Sequence, residues 1–302
     1  MKQFNPTELP EGLKSWFFSL RASLGMTREQ RMGISTGFPK LDKMMRGLHH
    51  GKWYLVGARP GGGKTSFCTS MAANIVRQEP HVQILYLSTE LTEDEIVQQM
   101  CEAYNGVDAI PWYPNGRDLN EIEINRLEAN LGDVMRACND GMLNIVVAKN
   151  FTVKQLEEYI DTFMDEEGQR VVFVDQASRL KRENNWGGNF AQATEDMING
   201  IEDLAFRKQV ALVLVSQLSR AREGLDRGRL GLYKGSGAFE EYAHFACQLE
   251  LKEEWGKGFG TSTNWDASCN VMKNRHGPTG EIPMEFVGEA HTWREFTAYK
   301  PS

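Results

Sequence analysis

Val56-Gly57-Ala58-Arg59-Pro60-Gly61-Gly62-Gly63-Lys64-Thr65-Ser66 is the stretch on which the reading of this chain turns. It follows the apolar run Trp53-Tyr54-Leu55 and precedes an amphipathic run through Val76. A glycine-rich turn between a buried strand and a helix leaves backbone N–H groups unpaired and converging, and the helix dipole adds positive potential at the same point. That arrangement is a phosphate cradle. Arg59, Gly61, Gly62, Gly63, Lys64, Thr65 and Ser66 are its candidate contacts to a nucleoside triphosphate. Lys64 reaches the β- and γ-phosphates, and the Thr65 hydroxyl is placed to ligate the Mg²⁺ that bridges them. The usual pattern, G-x-x-x-x-G-K-[ST], here opens on Ala58, with Gly57 one place early.

Composition sets the outer bounds. With 302 residues, 41% of them apolar, the chain can bury a full α/β core. Cys68, Cys101, Cys138, Cys247 and Cys269 form no C-x-x-C pair and no zinc spacing, so they read as reduced thiols of a cytoplasmic protein. No apolar run approaches a membrane span, and Met1-Lys2-Gln3-Phe4-Asn5-Pro6 lacks the apolar region of a secretory leader, which predicts a soluble protein without a membrane partner. A net charge of −7 argues against nucleic acid being held over the whole surface but leaves room for basic loops.

Along the chain, Leu13, Trp16, Phe17, Leu20 and Leu24 fall at the spacing of one apolar helix face, predicting a helix over residues 11–24. It covers either a patch of its own domain or a neighbouring subunit. From Gly33 onward short β-branched runs alternate with helical periods. Strands are predicted at 82–88, 143–148, 171–175 and 210–216, and helices from about 92 and over 120–137, 152–166 and 191–207. The first of these helices opens with a capping box of Thr92 and Glu95. Repeated βα units imply a parallel sheet covered on both faces, with ligands at the carboxyl ends of its strands. The stretches 247–252, 267–273, 281–287 and 292–297 read as antiparallel strands added at the sheet's edge.

Those carboxyl ends give a short list of candidate chemistry. Val171-Val172-Phe173-Val174-Asp175 has the form of an apolar strand ending on the carboxylate that holds Mg²⁺ together with Thr65. The next residue is Gln176, so a general base has to come from another strand, and Glu90 is the candidate to orient and deprotonate the attacking water. Gln217 ends a further strand and can hydrogen-bond the γ-phosphate or its water. Two polar loops rooted beside these strand ends suit a polyanion. One carries Arg179, Lys181 and Arg182; the other carries Arg220, Arg222, Arg227, Arg229 and Lys234. A turn, Lys273-Asn274-Arg275-His276-Gly277-Pro278, offers two cations without a neighbouring acid, suited to completing another subunit's site.

Together these residues resemble the RecA-type ATPase domain of the DnaB-family hexameric replicative helicases, from about Gly33 to Phe296. The resemblance runs through Gly33-Ile34-Ser35-Thr36-Gly37-Phe38-Pro39-Lys40-Leu41-Asp42, the Ala58-Arg59-Pro60 turn, Ser216-Gln217-Leu218-Ser219-Arg220, Ser236-Gly237-Ala238-Phe239-Glu240 and the Lys273–Gly280 turn. It implies a RecA-like P-loop fold over 33–302, preceded by a tail over 1–32 whose 11–24 helix resembles the family's linker helix. It further implies an ATP- and Mg²⁺-dependent motor, a hexameric ring on single-stranded DNA, travel in the 5′→3′ direction, and a primase or helicase loader as partner. On the residues it implies Glu90 as catalytic glutamate, Asp175 as metal aspartate, and Arg275 as an arginine finger acting in trans with Lys273 assisting. Lys234, Gly235 and Gly237 match the positions that hold the DNA backbone. The Lys-Asn-Arg-x-Gly turn also resembles recombination ATPases of the RadA type, which leaves a DNA-binding switch without unwinding as the alternative.

Overall fold

In the computed structural model, residues 10, 13–14, 32–105, 120–181, 190–218, 238–252, 264–288 and 290–296 are described. The chain divides into two units, Met1–Gly33 and Ile34–Ser302. In the first, Leu13 and Lys14 both donate their N–H groups to Pro10 O at 2.9 Å, within a helical turn. The remainder of the predicted 11–24 helix lies outside the described residues.

The second unit runs α1 (Pro39–Met45), β1 (Lys52–Ala58), α2 (Lys64–Gln78), β2 (Gln83–Ser88), α3 (Glu93–Asn105), α4 (Glu121–Asn139), β3 (Leu143–Val147), α5 (Val153–Phe163), β4 (Arg170–Asp175), α6 (Phe190–Lys208), β5 (Ala211–Gln217), α7 (Ala238–Tyr242), β6 (Phe245–Leu251), β7 (Asn264–Asn274), β8 (Gly280–Val287) and β9 (Thr292–Glu295). Among the described residues these strands form one nine-stranded sheet in the order β3-β2-β4-β5-β1-β6-β7-β8-β9. Pairing is parallel from β3 through β6 and antiparallel from β6 through β9. Among the described residues no helix is long and apolar enough to cross a membrane.

The central strands are apolar on both sides because both sides are covered. Alternate residues divide between two cores. Tyr54, Val56, Ile84, Tyr86, Phe173 and Val213 pack with Phe67, Met71 and Ile75 of α2 and with Ile96 and Met100 of α3. Trp53, Leu55, Leu85, Val172, Leu212 and Leu214 pack with Leu156 and Ile160 of α5 and with Ile198, Ile201 and Leu204 of α6. With a side-chain period of two, a slip of one residue in any of these strands would exchange its two faces.

Two elements depart from the sequence expectation. β6 is not an antiparallel edge strand: it pairs parallel with β1, Tyr54 opposite Phe245 through Ala58 opposite Leu249, and only β7, β8 and β9 are the antiparallel extension. Its apolar residues are buried beside the central strand, where a parallel partner was open on the side away from β5. Helix α5 ends at Phe163 and not at Glu166. Gln83 at the start of β2 accepts the Asp165 N–H at 2.8 Å and donates to the Asp165 carboxylate at 2.6 Å, drawing that backbone out of the helical path. Thr152 and Gln155 close the start of α5 with a capping box, and Thr92 and Glu95 bond reciprocally ahead of α3.

At the amino end of β1, His244 donates its N–H to Trp53 O at 3.1 Å and accepts the Arg275 N–H at 3.0 Å. Its ring is buried, Nδ1 has no hydrogen-bond partner, and His276 stacks at 6.5 Å. Burial, and then the charges of Lys52, Arg275, His276 and Lys273, push the His244 imidazole down to about 4.

Leu212→Ala empties a fully buried position in the middle of the sheet and should lower unfolding free energy by about 2–5 kcal/mol, read as a reduced urea midpoint at unchanged slope. His244, depressed below its unfolded value, contributes stability that is complete above pH ~6.5 and is lost as pH falls through about 4. The urea midpoint should therefore drop over that range in the wild type and drop less in His244→Gln. A shallower but persistent slope is expected, because His49, His50 and His276 are depressed as well.

Candidate functional site

The turn from β1 into α2 is built from backbone. Gly61 and Gly63 adopt φ of 72° and 67°, in the left-handed region that favours glycine. A Cβ on Gly62 would stand 2.9 Å from Ala58 Cβ and 3.0 Å from Arg59 O. Gly63 is the N-cap of α2 and no side chain caps that helix, so the amides of its first turn face the space enclosed by the glycines. Lys64 is buried with Nζ 3.4 Å from Arg59 O, while Arg59 is exposed. Ala58 replaces the usual glycine without cost, since it is still a strand residue whose carbonyl accepts the Leu218 N–H at 3.0 Å.

Neighbouring strand ends bring carboxylates to this turn. Asp175 ends β4 opposite Ser88 of β2, and the Thr89 N–H donates to Asp175 O at 2.7 Å. The Asp175 carboxylate accepts hydrogen bonds from the Thr65 hydroxyl and, at 3.4 Å, from the Tyr86 hydroxyl. Burial raises it to about 6, against the pull of the Thr65 hydrogen bond and the Lys64 charge. Its Oδ1 is buried without a partner. A free carboxylate oxygen beside a threonine hydroxyl is a hard oxygen donor set, and it fits Mg²⁺. Burial lowers the Lys64 amine, opposed by the charges of Asp175 and Glu90. Both acids therefore lie within electrostatic reach of the lysine.

Glu90 follows Thr89 and is half exposed, 3.9 Å from the Arg179 guanidinium. Gln217 lies opposite Ala58 in the β1–β5 ladder, so it borders the glycine turn directly. The structure thus gathers Lys64, Thr65, Glu90, Asp175 and Gln217 at the carboxyl ends of four adjacent strands, β2, β4, β5 and β1.

It does not bring Lys273 and Arg275 to that place. Their turn hangs from His244 and Trp53, at the start of β1, whereas the glycine turn follows its end. At about 3.3 Å per residue, the strand puts roughly 20 Å between the two. Asn274 shapes the turn, donating to Met44 O and Pro278 O at 3.0 Å each and accepting the His276 N–H at 3.2 Å. Gly277 is required there, since a Cβ would lie 2.7 Å from Met44 O. Arg275 donates to Tyr242 O at 3.1 Å and Lys273 to Glu241 O, both at the end of α7.

Of the predicted polyanion contacts, Arg179 and Lys181 are exposed, and the Lys181 N–H bonds to Phe151 O at 2.7 Å. Arg182, Arg220, Arg222, Lys234, Gly235 and Gly237 lie outside the described residues. Sequence patterns did not single out Tyr86 or Trp293, and they gave Asn274 no role of its own within its turn. Trp293 sits on β9 and bonds to the glycine turn itself, and no motif marks it. The 33–42 motif proves architectural: the Asp42 carboxylate accepts from the Ser35 hydroxyl at 2.8 Å and the Thr36 hydroxyl at 2.7 Å, and Glu295 accepts the amides of Lys40 and Leu41.

Comparison with known proteins agrees with this fold. Among solved structures, one ATPase domain superposes with a TM-score of 0.80 at 18% identity, covering 96% of this chain and 100% of that one. A DnaB-like replicative helicase, solved with its interactions with primase, superposes at 0.78 with 20% identity, covering 96% and 69%. Replicative DNA helicase DnaB of Treponema pallidum (strain Nichols) is 25% identical over 84% of this chain and 54% of its own length. Its counterpart in Haemophilus influenzae is 26% identical over 85% and 54%. The chain therefore spans about half the length of the curated relatives it matches. The family model of the DnaB-like helicase C terminal domain matches residues 33–295, and the chain belongs to that family.

Proposed function

We propose that this chain is the ATP-hydrolysing motor of a ring-shaped helicase that moves along single-stranded DNA. The observation that carries the reading is the placement of the Lys273–Arg275 turn and the glycine turn at opposite ends of β1. A chain so arranged holds the triphosphate at one end and presents cations at the other, so a complete site needs a second copy. Repeated head to tail, such a contact closes into a ring where its rotation divides a full turn, and the relatives' names favour replication as its setting.

Lys64 and the amides of the glycine turn bind the β- and γ-phosphates. Thr65 and Asp175 would hold Mg²⁺, which neutralises the phosphate oxygens. Glu90 orients the attacking water and accepts its proton as the water oxygen bonds to the γ-phosphorus and the bond to the ADP oxygen breaks. Gln217 hydrogen-bonds the γ-phosphate. Arg275 of the next copy, assisted by Lys273, stabilises the charge on the transferred group; its bond to Tyr242 O uses one N–H of five and leaves the others for phosphate. Arg179, Lys181, Arg182, Arg220, Arg222, Lys234, Gly235 and Gly237 are the proposed contacts to the DNA backbone, on loops rooted beside the γ-phosphate. Travel is 5′→3′, the ring has six subunits as in the family's hexamers, and a primase or loader is the further partner.

Single-stranded DNA should raise ATP hydrolysis, and a forked duplex should be unwound. Lys64→Ala and Glu90→Gln should each cut unwinding by at least about a hundredfold, with Glu90→Gln still binding ATP. Doping wild type with Arg275→Ala should depress hydrolysis beyond dilution. A strictly proportional loss would remove the shared site, and DNA-stimulated hydrolysis without strand separation would favour the switch over the motor.

A further inference from the structure

Trp293 holds the phosphate cradle from the far edge of the sheet. Its indole Nε1 donates to Gly63 O at 2.9 Å, and the same carbonyl accepts the Phe67 N–H at 2.9 Å. The ring is buried and clamped by aromatic neighbours, edge-on to Phe67 at 5.6 Å and tilted against Phe286 at 5.2 Å. Its own N–H donates to the Ser70 hydroxyl at 3.1 Å, and that hydroxyl donates to Ser66 O at 2.7 Å. The indole also occupies the space that a side chain at position 63 would need, with Nε1 2.8 Å from the site of a Cβ.

We propose that Trp293 is a positioning residue for nucleotide binding. In a trans peptide the C=O and the following N–H point in opposite directions within one plane. Fixing Gly63 O by a donor on the sheet side therefore turns the Lys64 N–H toward the enclosed space where the phosphates bind. The helical bond from Phe67 occupies one of the carbonyl's two lone pairs and leaves the second to constrain the plane further. The indole takes the second and sets the tilt before any nucleotide arrives. This inference rests on the reading of the glycine turn as the phosphate site, and it assigns to β9, which bears none of that site's charged groups, a part in the affinity for ATP.

The test uses the full chain and a non-hydrolysable ATP analogue with Mg²⁺. Trp293→Phe keeps an aromatic ring between Phe67 and Phe286 and removes the donor. It should weaken analogue binding and raise KM for ATP about fivefold, the worth of one hydrogen bond, with kcat held within about twofold. Ser70→Ala leaves the indole in place but frees the Trp293 main chain; it should raise KM in the same direction by about twofold, and it decides the matter if Trp293→Phe does not fold. Unchanged binding in the folded variants, or a fall in kcat and thermal stability at unchanged KM, would overturn the proposal and leave Trp293 a packing residue. Lys64→Ala separates the two layers. If it binds the analogue as wild type does, the phosphate reading itself fails; if it does not bind while Trp293→Phe binds normally, only the role of Trp293 falls.

Discussion

The charged groups of the site stand at or beyond the carboxyl ends of strands, because β1, β2, β4 and β5 are buried on both faces and carry no charged residue between their first and last positions. Two cores enforce this. Each strand gives alternate side chains to α2 and α3 on one side and to α5 and α6 on the other, and a charge within the strand would lie in one core or the other. Asp175 marks the boundary: it is the last residue of β4, already buried, and its carboxyl is lifted to about 6 by that burial. Glu90, two residues past the end of β2, is half exposed. The sheet thus sets apart a carboxylate suited to a cation, on the last residue of a strand, from one open to water two residues beyond a strand end.

Much of this was legible in the sequence, and the legible part is local. The glycine turn is recognisable because positive φ and close backbone approach demand glycine at fixed offsets, which leaves a contiguous signature. Apolar runs ending on Asp175 and Gln217 identify strand ends because parallel strands covered on both sides admit little else. The capping box at Thr92 marks a helix start within four residues. What escaped is non-local. The parallel partner of β6 is chosen by which edge of β1 is open, and nothing within residues 245–251 records that choice. Helix α5 stops early because Gln83 captures Asp165 from 82 positions away. Trp293 to Gly63 and Asn274 to Met44 are each contacts across 230 positions. A tryptophan in a short edge strand reads as core, and only the folded chain shows that its N–H reaches the glycine turn.

The same distant contacts explain why the antiparallel extension belongs to the functional unit. β9 supplies Trp293 to the glycine turn and Glu295 to the amides at the start of α1. The β7–β8 turn carries Lys273 and Arg275 and is braced on Met44 at the end of α1. The extension therefore ties the first helix of the unit to both ends of β1. It also fixes the cationic turn against α7, the short helix after residues 219–237. Each bond is modest, about 1 kcal/mol on average, yet together they hold two surfaces of the sheet at a set separation.

That separation has an arithmetic consequence. A contact that joins the start of β1 in one copy to the end of β1 in the next is directional, so it cannot satisfy itself in a symmetric pair. Under the proposed trans arginine, an open row of n copies would have n − 1 completed sites, the last copy holding nucleotide with no arginine against it and the first presenting an arginine to solvent. Closing the row adds the missing site without adding a subunit. In the ring proposed above, turnover per protomer would therefore gauge whether the circle is shut.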